Sequence, residues 1–262
     1  MSVQLHRALD IVELLEAAGR GMSLGTIAER TGVGKPAAHR LLQVLVERGY
    51  VEQDAETQAY RATLRLAIVG FGHLAATGMR ELTYPELHRL AAETGELVRL
   101  AVAEDDTLTW IVEAQGAAPG LRYDGNLGRQ AVLHATAAGK AWLSTMSDDE
   151  AVGRVLKAGF PDGEEVGPNA VTTIDALLAT LRETRARGFS TALEEAAVGV
   201  NALAVPVHEP GNDGPAVAAV IVVGPGARMT EARMADMVPA VRAAATRIGD
   251  LWPVRRYTTR SS

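Results

Sequence analysis

Residues 23–61 read SLGTIAERTGVGKPAAHRLLQVLVERGYVEQDAETQAYR. Local physics divides them into a short helix, a tight turn, a longer helix and a β-hairpin. Ser23 can cap a helix through Leu24, Ile27 and Ala28, apolar positions at helical spacing, with Gly32 at its end. Gly32-Val33-Gly34 has the length of turn that joins the two helices of a helix-turn-helix. The second helix opens on Lys35-Pro36, where the missing proline N–H would have had no partner, and runs to Arg48 before Gly49.

The faces of that second helix separate. At ~100° per residue, Ala38, Leu41, Leu42, Leu45 and Val46 gather on one side, and Pro36, His39, Arg40, Gln43 and Glu47 on the other. A recognition helix needs such a polar face, since Arg or Gln near its N-terminus can make paired hydrogen bonds to base edges. Beyond Gly49, Tyr50 to Gln53 and Gln58 to Arg61 flank a polar turn and form a wing. The alternative is an amphipathic helix pair in a core. The order of short helix, three-residue turn, longer helix and hairpin favours DNA.

A chain of 262 residues exceeds one average domain, so two are expected. With no cysteine, disulfides and thiolate metal sites are excluded and a reducing cytoplasm fits. The N-terminus lacks a signal pattern and carries Asp10, Glu13 and Glu16, and no apolar run approaches the ~20 residues of a membrane span. The net charge of −6 argues at first against nucleic acid. It is unevenly spread: residues 1–80 carry nine Lys/Arg against eight Asp/Glu, and residues 81–262 seventeen against twenty-four. DNA binding must then rest on local placement of basic side chains, be strongly salt-dependent, and gain from dimerisation.

Leu5 to Ala18 reads as a helix with Leu5, Leu9, Val12, Leu14 and Leu15 along one side, the third helix that a helix-turn-helix requires. Thr63 to Ala76 is a linker helix whose surplus apolar surface suggests a partner helix from another protomer. After Tyr84-Pro85 a helix over Glu86 to Thr94 is expected, then a hairpin of Leu97 to Ala103 and Leu108 to Ala114, and a short strand over Leu121 to Tyr123. Ser147 to Glu150 is a capping box, and Thr172 or Thr173 starts another helix. Phe189 to Leu193, Ala202 to His208 and Ala216 to Val223 read as strands, and Thr230 opens a terminal helix that reaches Trp252-Pro253. The expected fold is α+β, with domains at 1–63 and 81–252, a linker helix at 64–80 and a tail at 253–262.

Three motifs carry a resemblance. LHATAAGKAWL spans Leu133 to Leu143. GFSTALEEAAVGVNALAVPV spans Gly188 to Val207, with VVGP following at Val222 to Pro225. KPAAHRLLQVL spans Lys35 to Leu45. Together, and in their order along the chain, they resemble the IclR-type transcription regulators over nearly the whole chain. The resemblance implies a winged helix-turn-helix joined by a linker helix to a GAF-like effector domain with a mainly antiparallel sheet. It further implies a homodimer or homotetramer on double-stranded operator DNA, acting as a cytoplasmic repressor under control of a small molecule, with no cofactor and no membrane.

Carried over position by position, the resemblance assigns DNA contact to Lys35, Pro36, Ala37, His39, Arg40 and Gln43. Pro36-Ala37 replaces a Ser-Thr pair common in the family, which removes two hydroxyl donors. Arg40 is the firmest contact, while His39 is either a contact or a solvated helix position. Asp54 and Glu56 make the wing tip a poor phosphate clamp, so Arg61 and Arg65, with Thr26 on the preceding helix, are the expected backbone contacts.

The effector pocket is expected around Ala137, Ala138 and Gly139, where small residues let a carboxylate approach helix N-terminal N–H groups. Leu121 is placed beside them. Ala192, Ala202, Ile221 and Val223 stand where relatives that bind small oxo-acids carry polar side chains. Those oxygens would be left unpaired here, at ~1–3 kcal/mol each. A larger, more apolar carboxylic acid or ring compound is therefore expected, or else a constitutive regulator with a closed pocket. Trp142 and Trp110 are either pocket walls or core. Arg99 and Arg122 are either carboxylate partners or exposed strand arginines, and Glu194-Glu195 reads as a solvated pair.

An enzyme is not expected. There is no G-x-S-x-G elbow or Walker loop, and the six histidines lack metal-ligand spacing. His134, Thr136 and the Glu pair are the only trio worth naming for hydrolysis.

Overall fold

The computed structural model describes residues 3–160 and 166–252. The expected tail at 253–262 lies outside them. The chain divides into two compact units, residues 1–76 and 77–262, so the division falls inside the stretch 64–80.

In the first unit, α1 (Val3–Ala18), α2 (Leu24–Thr31) and α3 (Lys35–Glu47) precede a hairpin of β1 (Val51–Gln53) and β2 (Tyr60–Ala62), and α4 (Arg65–Thr77) follows. Ser23 caps α2 by accepting the Thr26 N–H, and Gly32 ends it in the left-handed region at φ +64°. Gly34 precedes α3, with Pro36 in its first turn. The core joins Ile11, Leu15, Met22, Ile27, Leu42, Val51 and Tyr60. Met22 and Tyr60 exchange both backbone hydrogen bonds at 2.8 Å, which fastens the wing to the turn before α2.

One sequence expectation fails here. Leu5 and Leu9 lie exposed on α1, and the face that packs is Ile11, Val12 and Leu15. Helical periodicity finds an apolar stripe but not which half of it meets the unit's own core. Val46, too, is partly exposed, at 39%. On α4, Ile68, Val69 and Phe71 are exposed together.

The second unit begins with α5 (Met79–Thr94), which runs straight through the Tyr84-Pro85 step where a boundary was expected. Pro85 forfeits one intrahelical bond. Burial of Leu87, Leu90 and Ala91 outweighs it. Then come β3 (Leu97–Glu104), β4 (Thr107–Gln115), α6 (Ala137–Leu143), α7 (Asp148–Ala158), α8 (Ile174–Arg187), β5 (Ser190–Leu193), β6 (Val200–Val207), β7 (Ala218–Pro225) and α9 (Glu231–Asp250). Ser147 forms the capping box of α7 with Glu150, and Thr173 caps α8.

The sheet is antiparallel in the order β4-β3-β7-β6-β5. Central β7 is buried along its whole length, because both faces of the sheet are covered. Val98, Leu100, Val112, Leu203, Val205, Val220 and Val222 share one cluster with α5 and α9. Leu97, Ala101, Ala202, Ala204, Ile221 and Val223 share the other with α6 and α8. Leu121 to Tyr123 is not a strand. It belongs to an irregular segment after β4, and the Leu121 carbonyl accepts from Arg228 Nη1 at 2.6 Å instead of from a ladder partner.

Candidate functional site

In the first unit the polar face of α3 is open. Lys35, Pro36, His39, Arg40 and Gln43 are all exposed, and so is Thr26 on α2, whose hydroxyl lies 3.0 Å from that of Ser23. Ala37 differs: it is half-buried against Ala28, Val33 and Ala38, on the seam between α2 and α3. Arg61 is exposed but engaged, its Nε donating to Glu52 Oε1 at 2.6 Å across the wing. The wing tip is closed by Asp54, whose carboxylate accepts from the backbone of Thr57 and Glu56 and from the Thr57 hydroxyl. Those hydrogen bonds, the Thr57 backbone first, lower the Asp54 pKa. A carboxylate held in its charged form cannot clamp a phosphate.

In the second unit a cavity of about 50 Å³ lies between the sheet and α6. Each element supplies one or two side chains. Arg99 comes from β3, Trp110 from β4, Ala192 from β5, Val200 and Ala202 from β6, and Ile221 and Val223 from β7. Thr136, Ala137 and Ala138 close it at the start of α6, with Tyr123 and Ala196 from loops. Register makes this convergence: Ile221 is the cross-strand partner of Arg99, and Val223 of Ala202. At ~10–15 Å³ of cavity space per water, a volume this size has room for a few waters. A ligand of more than a few heavy atoms needs more room than this conformation offers.

Arg99 is the charge on the wall, only 4% exposed. Its guanidinium lies over the Trp110 ring at 4.1 Å, its Nη2 donates to the Asn126 carbonyl at 2.8 Å, and its Nε sits 3.3 Å from Glu113 Oε2. That last approach is not in hydrogen-bonding geometry, so Arg99 Nε and Glu113 Oε2 are buried without a hydrogen-bond partner among the described residues. Burial lowers the guanidinium pKa, and Glu113 opposes the shift. Arginine stays protonated regardless.

Other expected contacts fall elsewhere. Leu121 is 70% exposed and off the cavity. Gly139 is buried under the preceding turn, where a Cβ would come within 2.2 Å of the Leu133 carbonyl oxygen, and its N–H is taken by the Thr136 hydroxyl. Trp142 is core, its indole N–H donating to the Ala216 carbonyl at 2.9 Å. Arg122 pairs with Asp124 at the surface.

The Glu pair is half-buried, and both members have partners. Glu195 holds the buried ammonium of Lys140, and Glu194, at φ +52°, accepts from the Gly199 N–H. His134 packs against Phe160 with ring centroids 4.7 Å apart, and Thr136 spends its hydroxyl on Val132 and Gly139, so no hydrolytic trio forms. Sequence reasoning missed Tyr123, Val200, Ala196 and the Lys140–Glu195 pair. An arginine inside the apolar run Leu97 to Ala103 was the available signal for a buried charge.

Among the described residues no helix is long and apolar enough to cross a membrane. The IclR helix-turn-helix domain matches residues 4–55, and the C-terminal domain of the bacterial transcriptional regulator IclR matches residues 71–250. The HTH-type transcriptional repressor AllR of Salmonella paratyphi A is 29% identical over 238 residues, 91% of this chain and 85% of that protein. The HTH-type transcriptional regulator BhcR of Paracoccus denitrificans is 32% identical over 243 residues, 92% of this chain and 84% of that protein. In fold, an IclR homologue of Microbacterium hydrocarbonoxydans solved with 4-hydroxybenzoate aligns at a TM-score of 0.74 and 23% identity, over 94% of this chain and 97% of that one.

Proposed function

The chain belongs to the IclR family of bacterial transcriptional regulators, and from that premise we propose that it is a cytoplasmic repressor that binds operator DNA and is released by a small organic acid. One observation carries the reading. The two family domains cover the two compact units, the first with an open polar face on α3 and the second with a small, mostly apolar cavity walled by an arginine. The repressor role is supported by AllR, and an acid as effector by the 4-hydroxybenzoate-bound homologue.

Lys35, His39, Arg40 and Gln43 meet the DNA, and Arg99, Trp110, Ala137, Ala138, Ala192, Ala202, Ile221 and Val223 surround the effector. The exposed apolar residues of α1 and α4 support self-association, since Leu5, Leu9, Ile68 and Phe71 are otherwise left to water. A dimer would place two recognition helices on half-sites ~34–36 Å apart or a multiple of it, and effector binding would change how well the pair spans them. A second reading, a constitutive regulator, is favoured by the small cavity volume.

The test is binding of the purified protein to the intergenic DNA beside its own gene across a salt series, with and without a panel of aromatic and aliphatic acids. Specific binding released by one acid supports the sensor. Specific binding indifferent to every compound supports the constitutive regulator, and none at any salt refutes both.

A further inference from the structure

Two parts of the cavity wall belong to no helix or strand: the loop between β5 and β6 that carries Ala196, and the segment 116–130 that carries Tyr123 across it. The remaining wall is hydrogen-bonded sheet and the start of α6. A ligand larger than the present space must displace something; the Ala196 loop is fixed by the Lys140–Glu195 pair and by the Gly167 N–H, which leaves segment 116–130 as the least costly part to move. Its inner attachment runs through Arg99. The Asn126 carbonyl accepts from Arg99 Nη2, and Gly125 lies so close that a Cβ there would stand 2.8 Å from Arg99 Cζ and 2.6 Å from Glu113 Oε2. Outer attachments are Gln115 Nε2 to the Tyr123 carbonyl at 3.0 Å and Arg228 Nη1 to the Leu121 carbonyl at 2.6 Å, and the far end is hinged to β4, where the Gly128 N–H donates to the Trp110 carbonyl at 2.8 Å and the Trp110 N–H to the Arg129 carbonyl at 3.0 Å.

Arg99 thus does two things that compete. It spends one N–H on the backbone of the segment, while its Nε, nine-tenths buried with the rest of the side chain, faces Glu113 Oε2 at 3.3 Å without hydrogen-bonding geometry and has no other acceptor among the described residues. An unmet donor on a charged group is costly, and a carboxylate is the acceptor that fits a guanidinium edge two oxygens to two nitrogens. The neighbouring walls, Trp110, Ile221 and Val223 with three alanines, offer a ligand body only apolar contact.

We propose that Arg99 is both the carboxylate-binding residue of this cavity and the latch that holds residues 116–130 over it. An apolar monocarboxylate binds by taking the Nε edge of the guanidinium, in place of the Glu113 carboxylate, which is 27% exposed and turns to solvent, and by displacing the Asn126 carbonyl. Binding and release of the segment are then one event. This rests on the effector-sensing reading above and adds to it the residue, the ligand charge and the moving part.

The experiment uses the full-length protein with benzoate and propionate as probes and benzamide and propionamide as uncharged counterparts. Calorimetry reads affinity, and hydrogen exchange reads the amides of residues 116–130. Each acid is expected to bind about tenfold or more tighter than its amide, and Arg99→Gln to abolish that preference. Benzoate should speed exchange in the segment severalfold. Gly125→Ala should do the same without ligand, because the added methyl group pushes the segment off an intact Arg99.

Equal binding of acids and amides by the wild type, or an acid preference surviving in Arg99→Gln, would overturn the carboxylate role. Unchanged exchange in Gly125→Ala would overturn the latch, and if Arg99→Gln does not fold, these wild-type and Gly125→Ala results still decide. Acids that bind Gly125→Ala but not the wild type would support the latch in its tightest form. Failure of every probe on both proteins refutes this inference, while operator release by some other compound would leave the sensor reading standing.

Discussion

Lys140 and Glu195 meet as an ion pair inside the second unit, across 55 positions of sequence, and tie α6 to the loop between β5 and β6. Only 2% of the Lys140 side chain and 13% of the Glu195 side chain reach solvent. Burial lowers the Lys140 pKa, and the charge and hydrogen bond of Glu195 pull it back up. The same loop is held from the other side, where the Gly167 N–H donates to the Glu195 carbonyl at 2.8 Å.

Removing one member of such a pair leaves an uncompensated charge. Lys140→Ala is therefore expected to destabilise the second unit by about 3–5 kcal/mol, whereas the double change Lys140→Met with Glu195→Leu costs much less. Urea denaturation of the single and double variants measures both. A single variant as stable as the wild type would mean that water reaches Glu195 freely.

The resemblance makes Gly139 a residue that clears room for a ligand, but the space above it is filled by backbone. A methyl group there would stand 2.2 Å from the Leu133 carbonyl oxygen and 2.5 Å from the Leu133 Cα. Backbone at that distance cannot rotate away. Gly139→Ala should lower the melting temperature by several degrees and weaken ligand binding only through misplacement of α6. Normal stability with selective loss of ligand binding would restore the ligand-clearance role.

The first unit was legible because its signals are local. Ser23, Gly32, Gly34 and Pro36 each do at one position what capping and turn chemistry require there. The antiparallel sheet was legible for the same reason, with β4 alternating residue by residue between buried and half-buried. What failed depended on distant contacts. Leu5 and Leu9 look identical to core leucines until the partner surface is known, and Pro85 breaks a helix only if nothing packs behind it. The cavity lay between the two cases. Family motifs indicated its alanines, but nothing within a few residues of Arg99 says that Trp110 and Asn126 will enclose it. Likewise, Lys140 and Glu195 carry no local mark of each other.

His134 gives the second unit a pH dependence. It is buried, its Nε2 has no hydrogen-bond partner among the described residues, and burial, helped by the nearby Lys140 charge, lowers its pKa below 6.5. Between the lowered folded value and the ordinary one, the unfolded chain binds a proton that the folded chain does not. Stability therefore rises with pH across that window, and this contribution is lost as pH falls from 6.5 toward the folded value. His134→Phe keeps a ring against Phe160 and removes the titration, so its melting temperature should fall less between pH 7 and 5, on the order of a few degrees less. An identical fall in both proteins would place the acid sensitivity elsewhere.

Arg40 and Arg61 are both exposed in the first unit, and their surroundings give them different weights on DNA. Arg61 already donates to Glu52, so DNA must compete with a carboxylate before it gains that side chain. Arg40 sits on the open face of α3 one turn from its N-terminus, where a side chain reaches base edges in the major groove. Arg40→Ala should cost about 1–3 kcal/mol of operator binding and leave oligomeric state and acid binding unchanged. Arg61→Ala should cost less. Glu52→Gln should strengthen binding by freeing Arg61.

The salt series separates the two kinds of contact. Loss of a phosphate contact lowers the slope of log affinity against log salt by about one, whereas loss of a base contact leaves the slope and relaxes sequence preference. Fluorescence anisotropy on operator and scrambled duplexes measures affinity, slope and preference together. Arg40→Ala is expected to lose preference with little change in slope. An unchanged affinity in Arg40→Ala would remove this face of α3 from the interface, and a slope lowered by one with preference intact would move Arg40 from the bases to the backbone.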